Sequence, residues 1–124
     1  MSQQAQHLLV EFNQCAIDIL NDPSQLENLM QQAAIAANAT IKNSVFQQFE
    51  PQGVTGILLL AESHLSIHTW PQYAYASVDF YTCGQGQPEI ACAVLQKGLQ
   101  AQQCEKIMIK RGLQQPAMRI VYHH

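Results

Sequence analysis

Charge is scarce in this sequence: six Lys and Arg against nine Asp and Glu in 124 residues, a net charge of -3. The only close group of cations is Lys106, Lys110 and Arg111. That excludes a protein that tracks a nucleic-acid backbone, which needs a clustered basic footprint. Long apolar runs are missing as well. Runs such as residues 57–61 fall far short of the ~20 residues a membrane-crossing helix requires. No basic segment precedes an apolar one near Met1, so no signal peptide is read and a cytoplasmic protein is expected. Cysteine is sparse and irregular, at Cys15, Cys83, Cys92 and Cys104. No pair has metal-ligand spacing, so free thiols in a reducing compartment are expected, with no metal. Two catalytic signatures are absent too, the Gly-x-Ser-x-Gly elbow of hydrolases and the His-Glu-x-x-His of zinc proteases.

Apolar residues and amides fill the chain instead. A hydrophobic share of 48% rules out disorder and supports one domain with one core. Glutamine recurs from Gln3 to Gln115, and a surface so poor in charge costs less to bury in an oligomer. Residues 7–12 read as a strand and 18–22 as a turn. Ser24 with Glu27 forms a capping box for a helix whose apolar face carries Leu26, Leu29, Met30, Ala33, Ala34 and Ala37. Residues 40–49 read as a strand, and Glu50-Pro51-Gln52-Gly53 as a turn. Strands follow at 54–60, 65–70 and 74–82, with short connections that imply antiparallel pairing. Pro88 opens a second helix, 105–111 is a further strand, and 118–122 is an edge candidate. The expected fold is α+β, a two-layer sandwich of an antiparallel sheet with two helices on one face.

Reactive side chains gather in the middle of the chain. His64 and His68 are four apart. In a strand that spacing shares a face but separates them by about 13 Å, too far for one ion. Trp70, between Thr69 and Pro71, would ordinarily be core or interface. Cys83 precedes a glycine-rich turn that enters a helix, where a helix N-terminus favours thiolate; a small buried hydrophobe fits the same position. A serine, imidazoles and a thiol suggest acyl chemistry or proton transfer without choosing between them.

Three segments carry a resemblance that does choose. They are Glu50 to Gly56 (EPQGVTG), Ala61 to Pro71 (AESHLSIHTWP) and Val78 to Gly84 (VDFYTCG). Together they resemble the small bacterial and archaeal S-adenosylmethionine decarboxylase proenzymes, and the likeness covers nearly the whole domain. It implies a single domain, 1–124, that cleaves itself between Glu62 and Ser63 into a β chain 1–62 and an α chain 63–124. The Ser63 hydroxyl would attack the Glu62 carbonyl to give an ester. His68 would remove the Cα proton of residue 63, elimination would expel the Glu62 carboxylate, and loss of ammonia would leave a pyruvoyl group. Thr55 stands where a hydroxyl residue steadies that cleavage, and Cys83 where the family keeps the proton donor for decarboxylation. Because the two histidine-to-serine partners share one strand segment, a reversal of the chain at residues 63–65 is expected to bring His68 to Ser63.

The same resemblance makes Phe49 and Trp70 the aromatic holders of adenine and sulfonium. Gln72 stands where an acidic residue commonly meets the ribose; an amide hydrogen-bonds a diol without charge. The expected partners are S-adenosylmethionine and a second copy, in a dimer of αβ units whose active site draws on both. The product would be the aminopropyl donor for spermidine synthesis. Related readings are a pyruvoyl-dependent arginine or ornithine decarboxylase and a non-catalytic partner subunit.

Overall fold

Period-two alternation builds most of the molecule. A computed structural model describes residues 4–113 and 118–123. In order, its elements are β1 (Gln4–Asn13), α1 (Ile17–Leu20), α2 (Pro23–Ala36), β2 (Ile41–Gln48), β3 (Val54–Leu60), β4 (Ser63–Trp70), a 3-10 turn (Pro71–Tyr73), β5 (Tyr75–Cys83), α3 (Pro88–Leu99), β6 (Gln103–Gly112) and β7 (Arg119–His123). Among the described residues the strands form one sheet of order β2-β3-β4-β5-β1-β6-β7. Every neighbouring pair is antiparallel.

One face of the sheet is dry. Leu8, Val10 and Phe12 of β1, Leu58 of β3, Leu65 and Ile67 of β4, and Val78 and Phe80 of β5 are all buried there. Burying each side chain of this size contributes roughly 1.5–3 kcal/mol. Against them lie Leu26, Met30, Ala33 and Ala34 of α2, and Ala91, Cys92, Leu95 and Leu99 of α3. The alanines and Gly98 let the helices come close: a Cβ at Gly98 would sit 2.2 Å from Leu29 Cδ1. Across β2 and β3 the Phe46 ring covers Gly56 in the same way, 2.0 Å from where a Cβ would stand.

The α+β sandwich is as expected, but it has three helices. Where a turn is expected over 18–22, residues 17–20 instead close one helical turn as α1, with Leu20 fully buried. The Thr69 hydroxyl donates to the Leu20 carbonyl at 2.7 Å and accepts from the Val54 N–H at 2.9 Å, so this turn is tied to the sheet. The α2 cap also differs. Asp22 accepts from the Gln25 N–H, and Pro23 fills the first helical position, where a missing N–H costs nothing. Glu27 instead accepts from the Ser44 hydroxyl on β2.

The reversal expected at residues 63–65 is absent. The chain turns earlier, through Ala61 and Glu62, and β4 begins at Ser63, paired with Leu60 on one side and Thr82 on the other. A bend at Leu65 would have pulled a fully buried side chain out of the core. Among the described residues, no helix is long and apolar enough to cross a membrane.

Candidate active site

The β3–β4 turn is held from two sides. Thr40 accepts the Ala61 N–H at 2.9 Å and gives its own N–H to the Glu62 side chain at 3.0 Å. The Glu62 carbonyl oxygen accepts from the Cys83 N–H at 3.2 Å, where β5 ends. Ser63 follows with φ at +151°, a conformation that strains a residue carrying a Cβ by roughly 1–3 kcal/mol. A strained peptide with a donor already on its carbonyl and a hydroxyl one residue on is set up for acyl transfer. Beside it opens a cavity of about 440 Å³ lined by Asn38, Thr40, Ala61, Glu62, Cys83, Gly84 and Gln85. Cys83 is half-buried at its wall and carries a free thiol. The helix N-terminus expected next to it begins only at Pro88.

A second group lies at the far end of the same strands. Thr55 and His68 pair across β3 and β4, and the Thr55 hydroxyl meets His68 Nδ1 at 3.1 Å. Trp70 is stacked on Tyr75 with ring centroids 5.2 Å apart. Phe49 is exposed at the entrance of the 50–53 turn, which Gly53 closes with φ at +108°. Gln72 is exposed in the 3-10 turn that follows Trp70. Ser63 and His68 are five positions apart along β4, roughly 16 Å at the usual rise. One chain's His68 therefore cannot touch its own Ser63.

The helix-free face of the sheet joins the two ends. His64, Ser66, His68 and Trp70 point there from β4, while Ser63, Leu65, Ile67 and Thr69 follow the opposite parity. Exposed apolar side chains surround them: Val45, Ile57, Leu59, Leu9 and Ile120. At its centre is a polar network that the sequence reading missed. Asp79 Oδ2 receives His7 Nε2 at 2.7 Å and His64 Nε2 at 2.9 Å, while Oδ1 receives the Ser66 hydroxyl. Arg111 donates to His7 Nδ1 at 3.0 Å and lies over the Tyr81 ring. Burial acts to raise the Asp79 carboxyl, yet the hydrogen bonds from His7, Ser66 and His64, with the His64 charge, hold it well below the usual carboxylate range.

His7, His64 and Asp79 are close enough to surround a cation, but the chemistry favours hydrogen bonding. A metal-bound imidazole normally gives its other N–H to an acceptor. Here the other nitrogen of His7 faces the Arg111 donor, so Nε2 keeps its hydrogen. His7 and Asp79 are 72 positions apart in the chain; the only sequence signal for them is outward parity in two strands.

This architecture has close counterparts. Residues 6–112 match the family described as S-adenosylmethionine decarboxylase. The chain is 41% identical over 123 residues to the S-adenosylmethionine decarboxylase proenzyme of Syntrophomonas wolfei, covering 98% of each. It is 42% identical over 114 residues to that of Pelotomaculum thermopropionicum, covering 91% of this chain and 90% of the relative. Its fold matches the crystal structure of the adenosylmethionine decarboxylase from Aquifex aeolicus with a TM-score of 0.84 and 32% identity, over 94% of this chain and 98% of that one. On sequence and fold together, the chain belongs to the small prokaryotic S-adenosylmethionine decarboxylase proenzyme family.

Proposed function

We propose that this protein cuts itself between Glu62 and Ser63 and, as the resulting pyruvoyl enzyme, decarboxylates S-adenosylmethionine to the aminopropyl donor of spermidine synthesis. The observation that carries the reading is the division of its reactive residues between two ends of one strand. Glu62, Ser63 and Cys83 lie at one end; Thr55, His68, Trp70, Phe49 and Gln72 lie at the other. A two-fold pairing of two open sheet faces, with strands running oppositely, lays one end against the other and makes two equal sites. The apolar side chains exposed on that face support such a pairing.

Each residue then has a task. The Ser63 hydroxyl adds to the Glu62 carbonyl, and the Cys83 N–H already on that oxygen offsets the negative charge that builds there. Cleavage also releases the Ser63 backbone strain. His68 of a second copy, held by its Thr55, takes the Cα proton of residue 63. The residues around the turn fit a pyruvoyl group: the hydroxyl residue that becomes it, an amide donor, a thiol and a cavity of ligand size adjoin one another. When formed, that group supplies an electrophilic carbonyl that captures the substrate amine and draws off electrons as CO₂ leaves. Phe49 and Trp70 stack on the adenine and sulfonium, and Gln72 hydrogen-bonds the ribose. Cys83 returns a proton to the product carbon. Its free thiol belongs in a reducing compartment, in keeping with a cytoplasmic enzyme.

Two measurements test this. Intact mass of purified protein should give an α chain beginning at residue 63 with a pyruvoyl mass; a single uncut chain overturns the proposal. Carboxyl-labelled S-adenosylmethionine, arginine and ornithine should release CO₂ from the first alone.

A further inference from the structure

Cutting the chain before Ser63 creates a difficulty for β4. Before cleavage, the turn through Ala61 and Glu62 ties its first residue to β3. Afterwards nothing precedes residue 63, and a pyruvoyl group has no N–H to give to a ladder. Strand ends that lose covalent and hydrogen-bonded restraint fray. The reacting carbonyl would then sit on the least ordered residue of a central strand. Register matters as much as order there, since a slip of one residue sends every side chain to the opposite face.

The next residue back, His64, carries a side-chain tether. Its Nε2–H donates to Asp79 Oδ2 at 2.9 Å, across the ladder to β5. Asp79 is itself fixed by His7 of β1 and by Ser66 of β4. His7 is fixed in turn by Arg111 of β6, whose guanidinium sets which ring nitrogen carries the hydrogen. The anchor thus reaches three strands beyond β4. The Tyr81 ring, 5.9 Å from His64 and 5.3 Å from His7, lies against both imidazoles.

We propose that His64, through Asp79, is a positioning residue that pins the new N-terminal end of β4 in register once the bond before Ser63 is broken. This rests on the reading that residue 63 becomes the blocked terminus of the α chain. It assigns the network a use in the processed enzyme that the intact chain, with its turn still joined, does not require.

The test compares cut and uncut protein. His64→Phe keeps a ring and loses the donor; His64→Gln returns an N–H near the Nε2 position. Both are made in the processing chain and in the Ser63→Ala chain, and backbone amide exchange at residues 64–66 is followed alongside kcat and KM. In processed His64→Phe, exchange should rise and kcat fall, each on the order of tenfold, with KM little changed, as expected for losing a hydrogen bond to a carboxylate. His64→Gln should recover most of both effects. In uncut Ser63→Ala the same His64→Phe change should alter exchange by less than about twofold, because the turn still restrains the strand. Asp79→Asn approaches the tether from the other partner and should reproduce the cut-dependent exchange. Equal exchange in cut and uncut His64→Phe, or no cut-dependent change in Asp79→Asn, overturns the pin. Wild-type protein that never cleaves overturns the functional reading, and this inference with it; a cleaved, active wild type with insensitive variants overturns this inference alone.

Discussion

Ser63→Ala removes the hydroxyl next to the Glu62 carbonyl, and the variant should remain one 124-residue chain in an intact-mass spectrum. Cys83→Ala keeps that hydroxyl and the amide donor on the Glu62 oxygen, so it should still be cut. Its kcat should fall on the order of 10²-fold, the usual loss when a proton donor is removed. Two carboxyls on the open face respond to pH with opposite sign. Asp79 is held below its ordinary pKa in the folded state. Its contribution to stability is therefore complete above the unfolded value of about 3.9 and is lost as pH falls below it. Glu11, raised by burial against a lowering hydrogen bond from Ser77, and raised further by Glu105, opposes folding once ionised. Denaturant midpoints from pH 2 to 7 should show a shallower acid limb for Asp79→Asn and a gain near neutrality for Glu11→Gln. Ser63 and His68 could be singled out because they fall in one unbroken motif, and Cys83 because it falls in a second, Val78 to Gly84. His7, Asp79 and Arg111 could not, because their meeting depends on the register of strands distant in sequence.

Thr69 decides whether α1 stays attached to the sheet. Its hydroxyl is buried between the Leu20 carbonyl and the Val54 N–H, and Thr69→Val keeps the volume while leaving both without a partner. The expected cost is about 1–3 kcal/mol, read as a lower denaturant midpoint with an unchanged slope. The alternating strands and the alanine face of α2 could be read directly, because each side chain reports its own face. Two details could not. Ser24 with Glu27 satisfies a capping pattern, but Asp22 followed by Pro23 satisfies a better one a step earlier. The turn before Ser63 was misplaced because one chain was asked to bring its own His68 to Ser63, while the pairing of Ser63 with Leu60 and Thr82 continues the strand through them.

The proposed two-copy site would make the protomer dependent on its copy. Ser63→Ala and His68→Ala chains, each inactive in self-cleavage when alone, should complement when co-expressed under different tags. In the mixed dimer one site combines Ser63 of the second variant with His68 of the first. Mass spectrometry should then find cut His68→Ala chains beside uncut Ser63→Ala chains; no cut chain would show that His68 does not act across a dimer. Low charge hinted at such pairing and the family resemblance implied it, whereas the separation of Ser63 from His68 follows from the length of β4. The strand order has one more consequence. Residues 1–62 supply β1, β2 and β3, and residues 63–124 supply the rest, yet β1 lies between β5 and β6. The two products of the proposed cleavage would be interleaved, and separating them would mean opening three ladders, β3 with β4 and β1 with both β5 and β6. Maturation at the proposed bond would turn one continuous chain into two pieces whose reassembly is second order. Refolding yield after denaturation should fall with dilution for the mature protein more steeply than for Ser63→Ala, and the mature protein's lifetime becomes a matter of never coming apart.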